Sequence, residues 1–393
     1  MDTDFSDKSL LTTKLAAPQT DQRIPRLQKV LDELALDAIF VTSPENIFYL
    51  TGFTGSAAYL VVGKTASLIT TDGRYQDQVE IQLRASGVDA EIFIGSGRGQ
   101  LESIKNFVSG TGRLRLGFEA GDITWALWEH LVSLFVDASL SGEKEVPGVP
   151  EKTELVPTRG VIEKLREVKD QGETERIGKA CLIADMALAD VKHLLQTEIS
   201  EKDFAVELEY KMKKLLAQGP AFATIVASGP NSALPHARPT ERKMREGDLV
   251  VIDFGAKVDG YHSDMTRTYG LGVKDQELLH LAQAVLAAQE AGVRSVKSGV
   301  LAGDVDLVCR SVLRENGLEQ FFSHGTGHGV GLLIHEAPYL GADSADILAS
   351  GSVVTVEPGA YLFGKGGVRI EDTMVVTQNA CEVLTQTVKE FIC

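Results

Sequence analysis

The apolar positions along the chain follow two successive patterns, and the change between them predicts two domains. Between residues 22 and 140, apolar runs of strand length alternate with segments whose apolar residues have helical spacing. Strands that alternate with helices predict an α/β domain with a substantially parallel sheet. The predicted helices cover residues 24–36, 75–85, 101–110 and 123–135, and the predicted strands lie within residues 37–43, 46–63, 65–74, 88–95 and 113–120.

Two features of this first region have competing interpretations. Residues 92–104 (IFIGSGRGQLESI) have the order strand, glycine-rich turn and helix. Gln100 replaces the third glycine of the dinucleotide-binding fingerprint, so a structural turn is favoured over a nucleotide site. Trp125, Trp128 and Leu131 share one predicted helix and are expected in the core rather than in a ligand-stacking site.

From residue 173 onwards, long helical patterns are grouped with strands instead of alternating with them, which predicts an antiparallel α+β domain. The predicted helices cover residues 173–196, 201–219, 278–296 and 303–317. Residues 141–160 contain three prolines and many charges, as linkers do. We therefore expect a disordered tail over residues 1–21, an amino-terminal domain over 22–150, a linker over 151–165 and a carboxy-terminal domain over 166–393.

Composition narrows the class of function. The 393 residues carry a net charge of -16, which argues against a nucleic-acid partner and against docking on an anionic membrane. No apolar run reaches the length of a membrane span, and the start of the chain lacks the features of a secretory signal. The four cysteines form no CxxC pair. A reduced, cytoplasmic location is expected.

Four carboxylates and one histidine in the second region stand out because each lies beside an apolar run. They are Asp253, Asp264, His328, Glu357 and Glu371. Burying such a set without neutralisation is costly. Two divalent cations would make that burial tolerable, so the set predicts a two-metal hydrolase.

The first two carboxylates lie on either side of a predicted hairpin. Asp259-Gly260 is a strong signal for a two-residue turn. With that turn, Asp253 faces Thr266, and Asp264 lies two residues before Thr266 on the same strand. Side chains alternate with period two, so both carboxylates are expected on one face, where they repel unless a cation lies between them.

The second pair of carboxylates, Glu357 and Glu371, flanks a glycine-rich stretch that could form another hairpin. The midpoint of the two is Gly364, so their direct opposition requires a loop with an odd number of residues. Oxygen-rich ligation with one histidine and no thiolate suits Mn, Co or Zn. Two such ions bridged by carboxylates can hold a hydroxide and clamp a carbonyl oxygen, which permits amide hydrolysis.

The chain resembles the creatinase/prolidase/aminopeptidase P group of metallopeptidases over residues 22–393. The strongest matches are AFATIVASGPNSALPHARPT, GDLVVIDFGAKVDGYHSDMTRTYG, HGTGHGVGLLIHEAP and VVTVEPGAYLFGKGGVRIEDT. The resemblance implies a creatinase-type α/β amino-terminal domain followed by a pita-bread α+β catalytic domain. It also implies two divalent ions, most often Mn²⁺, with Co²⁺ or Zn²⁺ as alternatives, and a homodimer. The implied metal ligands are Asp253, Asp264, His328, Glu357 and Glu371, of which Asp264 and Glu371 would bridge both ions.

Further roles follow from the same resemblance. Glu357 would also act as the proton shuttle for the attacking hydroxide. His236 and His335 would hold the substrate and stabilise the oxyanion. Tyr361 and Arg369 match family residues beside the metal centre and are expected to contribute to substrate binding. Two other histidines are less informative: His324 is either a partner of the metal ligands or structural, and His262 is expected to be an ordinary hairpin side chain.

The function expected from this resemblance is hydrolysis of the amino-terminal Xaa-Pro bond of peptides, as in aminopeptidase P. A dipeptidase (prolidase) is the alternative. Prolidases typically carry an arginine shortly after the histidine matched by His335, whereas this chain has Tyr339 there, which favours the aminopeptidase. A non-catalytic pita-bread binding module and a creatinase-type amidinohydrolase are less favoured, because all five ligands are present.

Overall fold

The fold comes from a computed structural model of the chain, which describes residues 11–109, 114–135, 153–196 and 199–389. The chain divides into two compact units. The amino-terminal unit is Gln19–Arg166, and the carboxy-terminal unit begins at Glu167 and also contains residues 11–18. No helix within the described ranges has both the length and the apolar character needed to cross a lipid bilayer.

The amino-terminal unit is built around one six-stranded sheet of order β4-β3-β2-β1-β5-β6. Strand β2 is antiparallel to both of its neighbours, and the other pairs are parallel, as the alternating sequence pattern predicts. Its strands are β1 (Ala38–Val41), β2 (Ala58–Gly63), β3 (Ser67–Thr71), β4 (Glu91–Ile94), β5 (Arg115–Glu119) and β6 (Glu154–Thr158). Its helices are α1 (Arg23–Glu33), α2 (Pro44–Thr51), α3 (Gln76–Ser86), α4 (Gly97–Val108), α5 (Trp125–Phe135) and α6 (Val161–Arg166), with 3-10 turns at Thr20–Gln22 and Gly73–Tyr75.

Helix α2 replaces a strand that the sequence pattern predicts at the start of residues 46–63. The Ser43 side chain caps the helix by accepting a hydrogen bond from the Asn46 N–H, and Pro44 occupies the first turn. Gly52 ends the helix in the left-handed conformation, with φ 75°. The predicted strand is therefore wrong: the cap, the proline and the terminal glycine determine a helix here despite the apolar run between them.

Trp125 is also placed differently from the prediction. It is the first residue of α5 and is 74% exposed, with its indole N–H donating to Glu129 at 2.9 Å. Leu131 is fully buried as expected, and Trp128 packs on Phe118 with ring centroids 5.0 Å apart. An indole at the first turn of a helix can lie along the helix surface instead of pointing at the sheet.

Two segments predicted as irregular are ordered where the structure describes them. Residues 154–158 of the predicted linker form β6 at the edge of the sheet, a position that tolerates Pro157 because an edge strand leaves N–H positions unpaired. In the predicted tail, Leu11 is buried among α7 (Gln171–Val191) and its neighbours, and the Ala16 N–H donates to Glu175 at 2.5 Å. Residues 1–10 and 136–152 lie outside the described residues.

The carboxy-terminal unit is antiparallel throughout its described strand pairs, as the grouped pattern predicts. Its remaining helices are α8 (Glu201–Lys214), α9 (Gln276–Ser295) and α10 (Ala302–Glu315), with 3-10 turns at Lys192–Gln196, Gly229–Ala233 and Glu319–Phe321. Its strands are β7 (Gly219–Pro220), β8 (Ile225–Ser228), β9 (Leu249–Phe254), β10 (Ala256–Val258), β11 (Tyr261–His262), β12 (Met265–Gly270), β13 (Gly327–Gly329), β14 (Glu336–Leu340), β15 (Val353–Val356), β16 (Gly359–Leu362), β17 (Gly366–Arg369), β18 (Asp372–Val376) and β19 (Cys381–Val383).

Two helix pairs cover the apolar faces of these sheets. Helices α7 and α8 pack on β8, β9, β10 and β12, and helices α9 and α10 pack on β15, β17 and β18. Because side chains alternate along a strand, burying one face in this way leaves the opposite face of the central strands for polar residues. The candidate site lies on that second face.

The first hairpin has the register predicted from its turn. Asp259 and Gly260 both have positive φ, 47° and 86°, as a two-residue hairpin turn of this kind requires. The register continues past a break at Gly255 and pairs Asp253 with Thr266. A Cβ atom at Gly255 would collide with the Ser263 carbonyl, so this close approach requires glycine.

The second hairpin repeats the arrangement around Glu357 and Glu371. Strands β16 and β17 pair Gly359 with Arg369, and their connection is the odd-numbered stretch from residue 363 to 365. Strands β15 and β18 pair Val356 with Asp372 in the same register. Glu357 and Glu371 therefore lie opposite each other between the two paired segments, as the odd-loop alternative requires.

A buried arginine ties the two hairpins together. Arg267 of β12 is 2% exposed and donates from Nη2 to Asp372 at 2.8 Å. Its Nη1 donates to the backbone carbonyls of Thr266 and Glu371. This brace fixes the backbone on both sides of the candidate site.

Candidate metal centre and active site

A cavity of about 350 Å³ lies within the carboxy-terminal unit, and the residues singled out from the sequence converge on it. Its apolar wall includes Phe222, Ile225, Ile334 and Leu340. All five predicted metal ligands line it, together with three histidines and one arginine: Asp253, Asp264, His328, Glu357, Glu371, His236, His324, His335 and Arg369.

Three carboxylate oxygens in this cavity are buried without a hydrogen-bond partner. They are Asp253 Oδ1, Asp264 Oδ1 and Glu371 Oε1. Burial, reinforced by repulsion from Glu371 and Asp253, raises the pKa of Asp264 well above its ordinary value. Burial and repulsion from Glu357 and Asp253 do the same to the pKa of Glu371. Unpartnered oxygens in a group of like charges are what a cation site requires, and oxygen donors suit a divalent ion.

His328 lies against these carboxylates and completes a possible ligand group. Its Nε2 is 3.3 Å from Glu357 Oε1 and 3.6 Å from Asp264 Oδ2. Its Nδ1 faces the Gly329 carbonyl at 3.0 Å, an acceptor that holds a proton on Nδ1. Nε2 is therefore the nitrogen directed at the carboxylates: it donates to Glu357 while protonated and can ligate a metal once that proton is lost. Ligand atoms of Asp264, His328 and Glu371 all lie within 4.8 Å of one another. The donor set and its spacing therefore fit a metal ion.

Glu357 differs from the other carboxylates of the cluster in the direction of its pKa shift. Burial raises the pKa of Glu357, but the hydrogen bond and the attraction from His328 outweigh burial and lower it overall. The converse holds for His328: burial lowers its pKa, but Glu357 outweighs burial and raises it. Glu357 is therefore the carboxylate that stays most readily ionised in this cluster.

Arg369 supplies the permanent positive charge of the site. It is 3% exposed and donates from Nη2 to Asp253 at 2.6 Å. It also donates to Thr266 Oγ1 at 3.2 Å, and Thr266 in turn donates to Glu371 at 2.7 Å. Arg369 and Thr266 thus orient two of the predicted ligands, Asp253 and Glu371.

His324 and Tyr361 continue this network behind the carboxylates. Arg369 Nη1 donates to the Tyr361 hydroxyl at 2.9 Å, and that hydroxyl lies 2.8 Å from His324 Nε2. His324 Nδ1 faces the Gly325 carbonyl at 2.8 Å, so Nε2 is the acceptor for Tyr361. Tyr361 is 8% exposed and lies behind the residues that line the cavity, whereas His324 lines it. His324 is a site residue whose position the sequence left open.

The two predicted substrate histidines line the cavity from different loops. The His335 ring stands edge-on to the His328 ring, with centroids 4.4 Å apart, and burial lowers the pKa of His335. A lowered pKa keeps His335 neutral, so that it can donate or accept a hydrogen bond without carrying charge. His236 lies on the segment before β9 and is exposed. His262 does not line the cavity. Its Nδ1 is within hydrogen-bond distance of the Gly331 carbonyl, at 3.0 Å, and so supports the loop before His335.

Comparison with known proteins gives the family. The model of metallopeptidase family M24 matches residues 175–378, and the model of the Creatinase/Prolidase N-terminal domain matches residues 23–168. The chain belongs to metallopeptidase family M24. The predicted family is thereby confirmed, as is the fold class of a creatinase-type α/β domain followed by a pita-bread α+β domain. The chain is a metallopeptidase, and the cavity lies in the part of the chain that carries this family's fold.

Relatives of known name or structure align over almost the whole chain. A Xaa-Pro dipeptidase of Pyrococcus furiosus is 34% identical and covers 94% of this chain and 99% of its own. The structure of a Xaa-Pro dipeptidase from Bacillus anthracis is 35% identical, with a TM-score of 0.85, and covers 95% of this chain and 99% of its own. The structure of an X-Pro aminopeptidase from Thermotoga maritima is 32% identical, with a TM-score of 0.81, and covers 94% of this chain and 99% of its own.

Proposed function

We propose that this metallopeptidase is a Xaa-Pro dipeptidase, which hydrolyses the bond between a first residue and a carboxy-terminal proline. The observation that supports hydrolysis is the set of three unpartnered buried carboxylate oxygens beside His328 in one cavity. The choice of a dipeptide rests on the relatives from Pyrococcus furiosus and Bacillus anthracis, both of which are named Xaa-Pro dipeptidases. The comparisons thus favour the alternative that the sequence analysis placed second.

The proposed ligands of two divalent cations, most often Mn²⁺ in this group, are Asp253, Asp264, His328, Glu357 and Glu371. When bound, such ions supply a nucleophile from water at neutral pH and polarise the scissile carbonyl. Thr266 and Arg369 hold Glu371 and Asp253 in place by the hydrogen bonds described above. The orphaned oxygens of Asp253, Asp264 and Glu371 are the atoms left for ligation.

Glu357 is the proposed carrier of the proton. It lines the cavity as a carboxylate, a group able to accept a proton from the attacking water and to pass it on. That proton must reach the proline nitrogen, because this nitrogen leaves as an amine and has no N–H of its own in the substrate. His236 and His335 are proposed to donate hydrogen bonds to the substrate and to the developing oxyanion.

Aminopeptidase P activity is the second candidate, and one residue supports it. Tyr339 stands on β14 opposite His328, lines the cavity and is 52% exposed. The sequence resemblance associates an arginine with this place in prolidases, where it would bind the carboxylate of a dipeptide. A tyrosine there leaves the cavity open to a longer peptide, and the Thermotoga maritima relative is named an aminopeptidase.

A peptide-length series distinguishes the two activities. We expect the purified protein, loaded with Mn²⁺, to release proline from Xaa-Pro faster than it releases the first residue from Xaa-Pro-Yaa. Chelation should abolish both activities, and added Mn²⁺ should restore them. Faster cleavage of the tripeptide would favour aminopeptidase P, and metal-independent release from every peptide would contradict the proposed mechanism.

Replacing Tyr339 by arginine is expected to improve dipeptide binding. The guanidinium at the exposed rim could form a charge-assisted hydrogen bond with the proline carboxylate, lowering KM for Xaa-Pro about tenfold. KM for Xaa-Pro-Yaa should change little, because its carboxylate lies farther along the chain. Steady-state kinetics on both substrates tests this, with Tyr339→Gln as the neutral control. An equal fall in KM for both peptides would show that the carboxylate is not read at this position.

We also propose that the protein acts as a homodimer in the cytoplasm, on the basis of the family resemblance and the sequence composition. Sedimentation of the purified full chain tests the dimer. A monomer at all concentrations would contradict it.

A further inference from the structure

The segment that carries His236 runs from Ser228 at the end of β8 to Thr240. His236 is exposed, and among the described residues its imidazole has no hydrogen-bond partner. With no side-chain bond to hold it, the imidazole depends on the backbone of its loop for its place beside the cavity. Any group that fixes the loop therefore fixes the point from which His236 reaches the cavity.

Glu201 holds both ends of this loop from a place outside the cavity. It is the first residue of α8, and it is fully buried. Its Oε1 accepts from the Ser228 N–H and hydroxyl, both at 2.7 Å. Its Oε2 accepts from the Thr240 N–H at 3.0 Å and from the Thr240 hydroxyl at 2.6 Å. The Asn231 amide donates to Oε1 at 3.0 Å, so the carboxylate also reaches the middle of the loop.

Arg242 and Asp248 support this clamp, by which we mean the hydrogen bonds that Glu201 accepts from Ser228 and Thr240. Arg242 Nη1 donates to the Ser228 hydroxyl at 2.6 Å, which leaves the hydroxyl proton directed at Glu201. Arg242 also donates to both oxygens of Asp248, at 2.6 and 2.8 Å. The donors around Glu201 thus have fixed directions, and all of them point at a group that only accepts.

A second anchor holds the loop on the side of the metal ligands. Arg369 Nη1 donates to the Pro235 carbonyl at 3.1 Å, immediately before His236. The Gly367 N–H donates to the Ser232 hydroxyl at 2.9 Å. The loop is therefore held between the candidate metal centre and Glu201. Loss of either anchor would let His236 move relative to the metal ligands.

We propose that Glu201 is a positioning residue that sets the place of His236 in the active site; the inference rests on the proposed contact of His236 with substrate. Glu201→Gln keeps the shape of the side chain but replaces one acceptor oxygen by an amide that can only donate. That amide must then face the N–H and hydroxyl of Ser228 or those of Thr240. One end of the loop is released, while the metal ligands keep their own hydrogen bonds.

The kinetic test compares Glu201→Gln with a matched control on the same helix. We expect kcat/KM for the cleaved Xaa-Pro peptide to fall about 10- to 100-fold, as small displacements of positioning groups produce. Bound metal, measured by elemental analysis, should be unchanged. Glu207→Gln changes an exposed carboxylate of α8 and should leave kcat/KM unaltered.

A double-mutant cycle separates positioning from a general loss of structure. In a His236→Ala background, Glu201→Gln should cost little more, because the group it positions is already absent. In a His335→Ala background, it should retain most of its effect. Equal costs in both backgrounds, or a loss of bound metal in Glu201→Gln alone, would overturn the inference.

Hydrogen exchange without substrate tests the same inference independently of activity. Glu201→Gln should accelerate exchange of backbone amides in residues 229–240 and leave residues 324–336 unchanged. If Glu201→Gln does not fold, Thr240→Val removes one donor at an exposed position and should give a smaller change in the same residues. Unchanged exchange in residues 229–240 would overturn the inference even if the wild-type protein cleaves Xaa-Pro. Absence of cleavage by the wild type would instead contradict the proposed function.

Discussion

Replacing Glu371 by glutamine is expected to lower kcat about 10³-fold, the equivalent of ~4 kcal/mol of transition-state stabilisation, yet to stabilise the metal-free protein. Glu371 Oε2 accepts from Thr266, and a glutamine oxygen can take over that bond. Its other oxygen is unpartnered, and burial together with repulsion from Glu357 and Asp253 raises the pKa of Glu371. An amide there removes one charge from the cluster and can donate to Asp264 or Asp253.

Chemical denaturation with and without Mn²⁺ measures this reversal. Without metal, the free energy of unfolding of Glu371→Gln should exceed that of the wild type by ~1 kcal/mol, the order of the penalty for one buried oxygen without a partner. With Mn²⁺, the wild type should gain more stability than the variant. A bound ion stabilises the folded state in proportion to its affinity, and the variant lacks one of the proposed ligand carboxylates.

The matched control is Glu173→Gln. Glu173 is also buried, but both of its oxygens have partners, the Asp170 N–H at 3.0 Å and the Tyr261 hydroxyl at 2.9 Å. Glutamine has one acceptor oxygen instead of two, so one of these two donors loses its acceptor. The metal-free protein should therefore become less stable by about 1–3 kcal/mol. If both glutamine variants lose stability equally, then the carboxylates of the cavity are not a strained cation site.

Replacing Arg369 by methionine should give the largest loss of stability among the variants considered. Removing one partner of a buried ion pair leaves the other charge uncompensated and costs about 3–5 kcal/mol. Here the charge left uncompensated is that of Asp253, whose second oxygen already lacks a partner. The Tyr361 hydroxyl and the Pro235 carbonyl lose a donor at the same time.

Equilibrium unfolding of the metal-free and Mn²⁺-loaded proteins tests this expectation. Tyr361→Phe is the control, since it removes the hydroxyl's bonds to Arg369 and His324 but leaves the ion pair with Asp253, and it should cost only about 1–2 kcal/mol. Mn²⁺ should recover part of the stability of Arg369→Met, because a cation beside Asp253 replaces the missing charge. A variant as stable as the wild type would mean that Arg369 does not neutralise this cluster.

Local turn chemistry explains why the first hairpin was predictable. The Asp259-Gly260 pair adopts positive φ at both residues, and that geometry alone fixes which residues face each other along the strands. The second hairpin has no comparable turn signal, because a glycine-rich connection admits several loop lengths. The helix at Pro44 does have local signals, the Ser43 cap and the terminal Gly52, and these outweigh the apolar run between them.

Contacts between distant segments are not encoded in any local pattern of the sequence. The clamp on the His236 loop joins Glu201 to Thr240, and the brace between hairpins joins Arg267 to Asp372. Each side chain has many possible partners along the chain, and only the packing of helices on sheets selects one. His324 shows the same limit, since its bond to Tyr361 depends on how β16 lies beside the preceding loop.

The sequence by itself determined the family, the order of the two folds, the register of the first hairpin and the residues around which the cavity forms. These features depend on local patterns: periodicity, turn residues and long motifs. The tertiary structure alone decided which carboxylate oxygens remain unpartnered, which arginine faces Asp253 and which buried carboxylate holds the His236 loop. Those outcomes depend on the meeting of segments far apart in the chain, because burial and hydrogen bonding are properties of the packed whole.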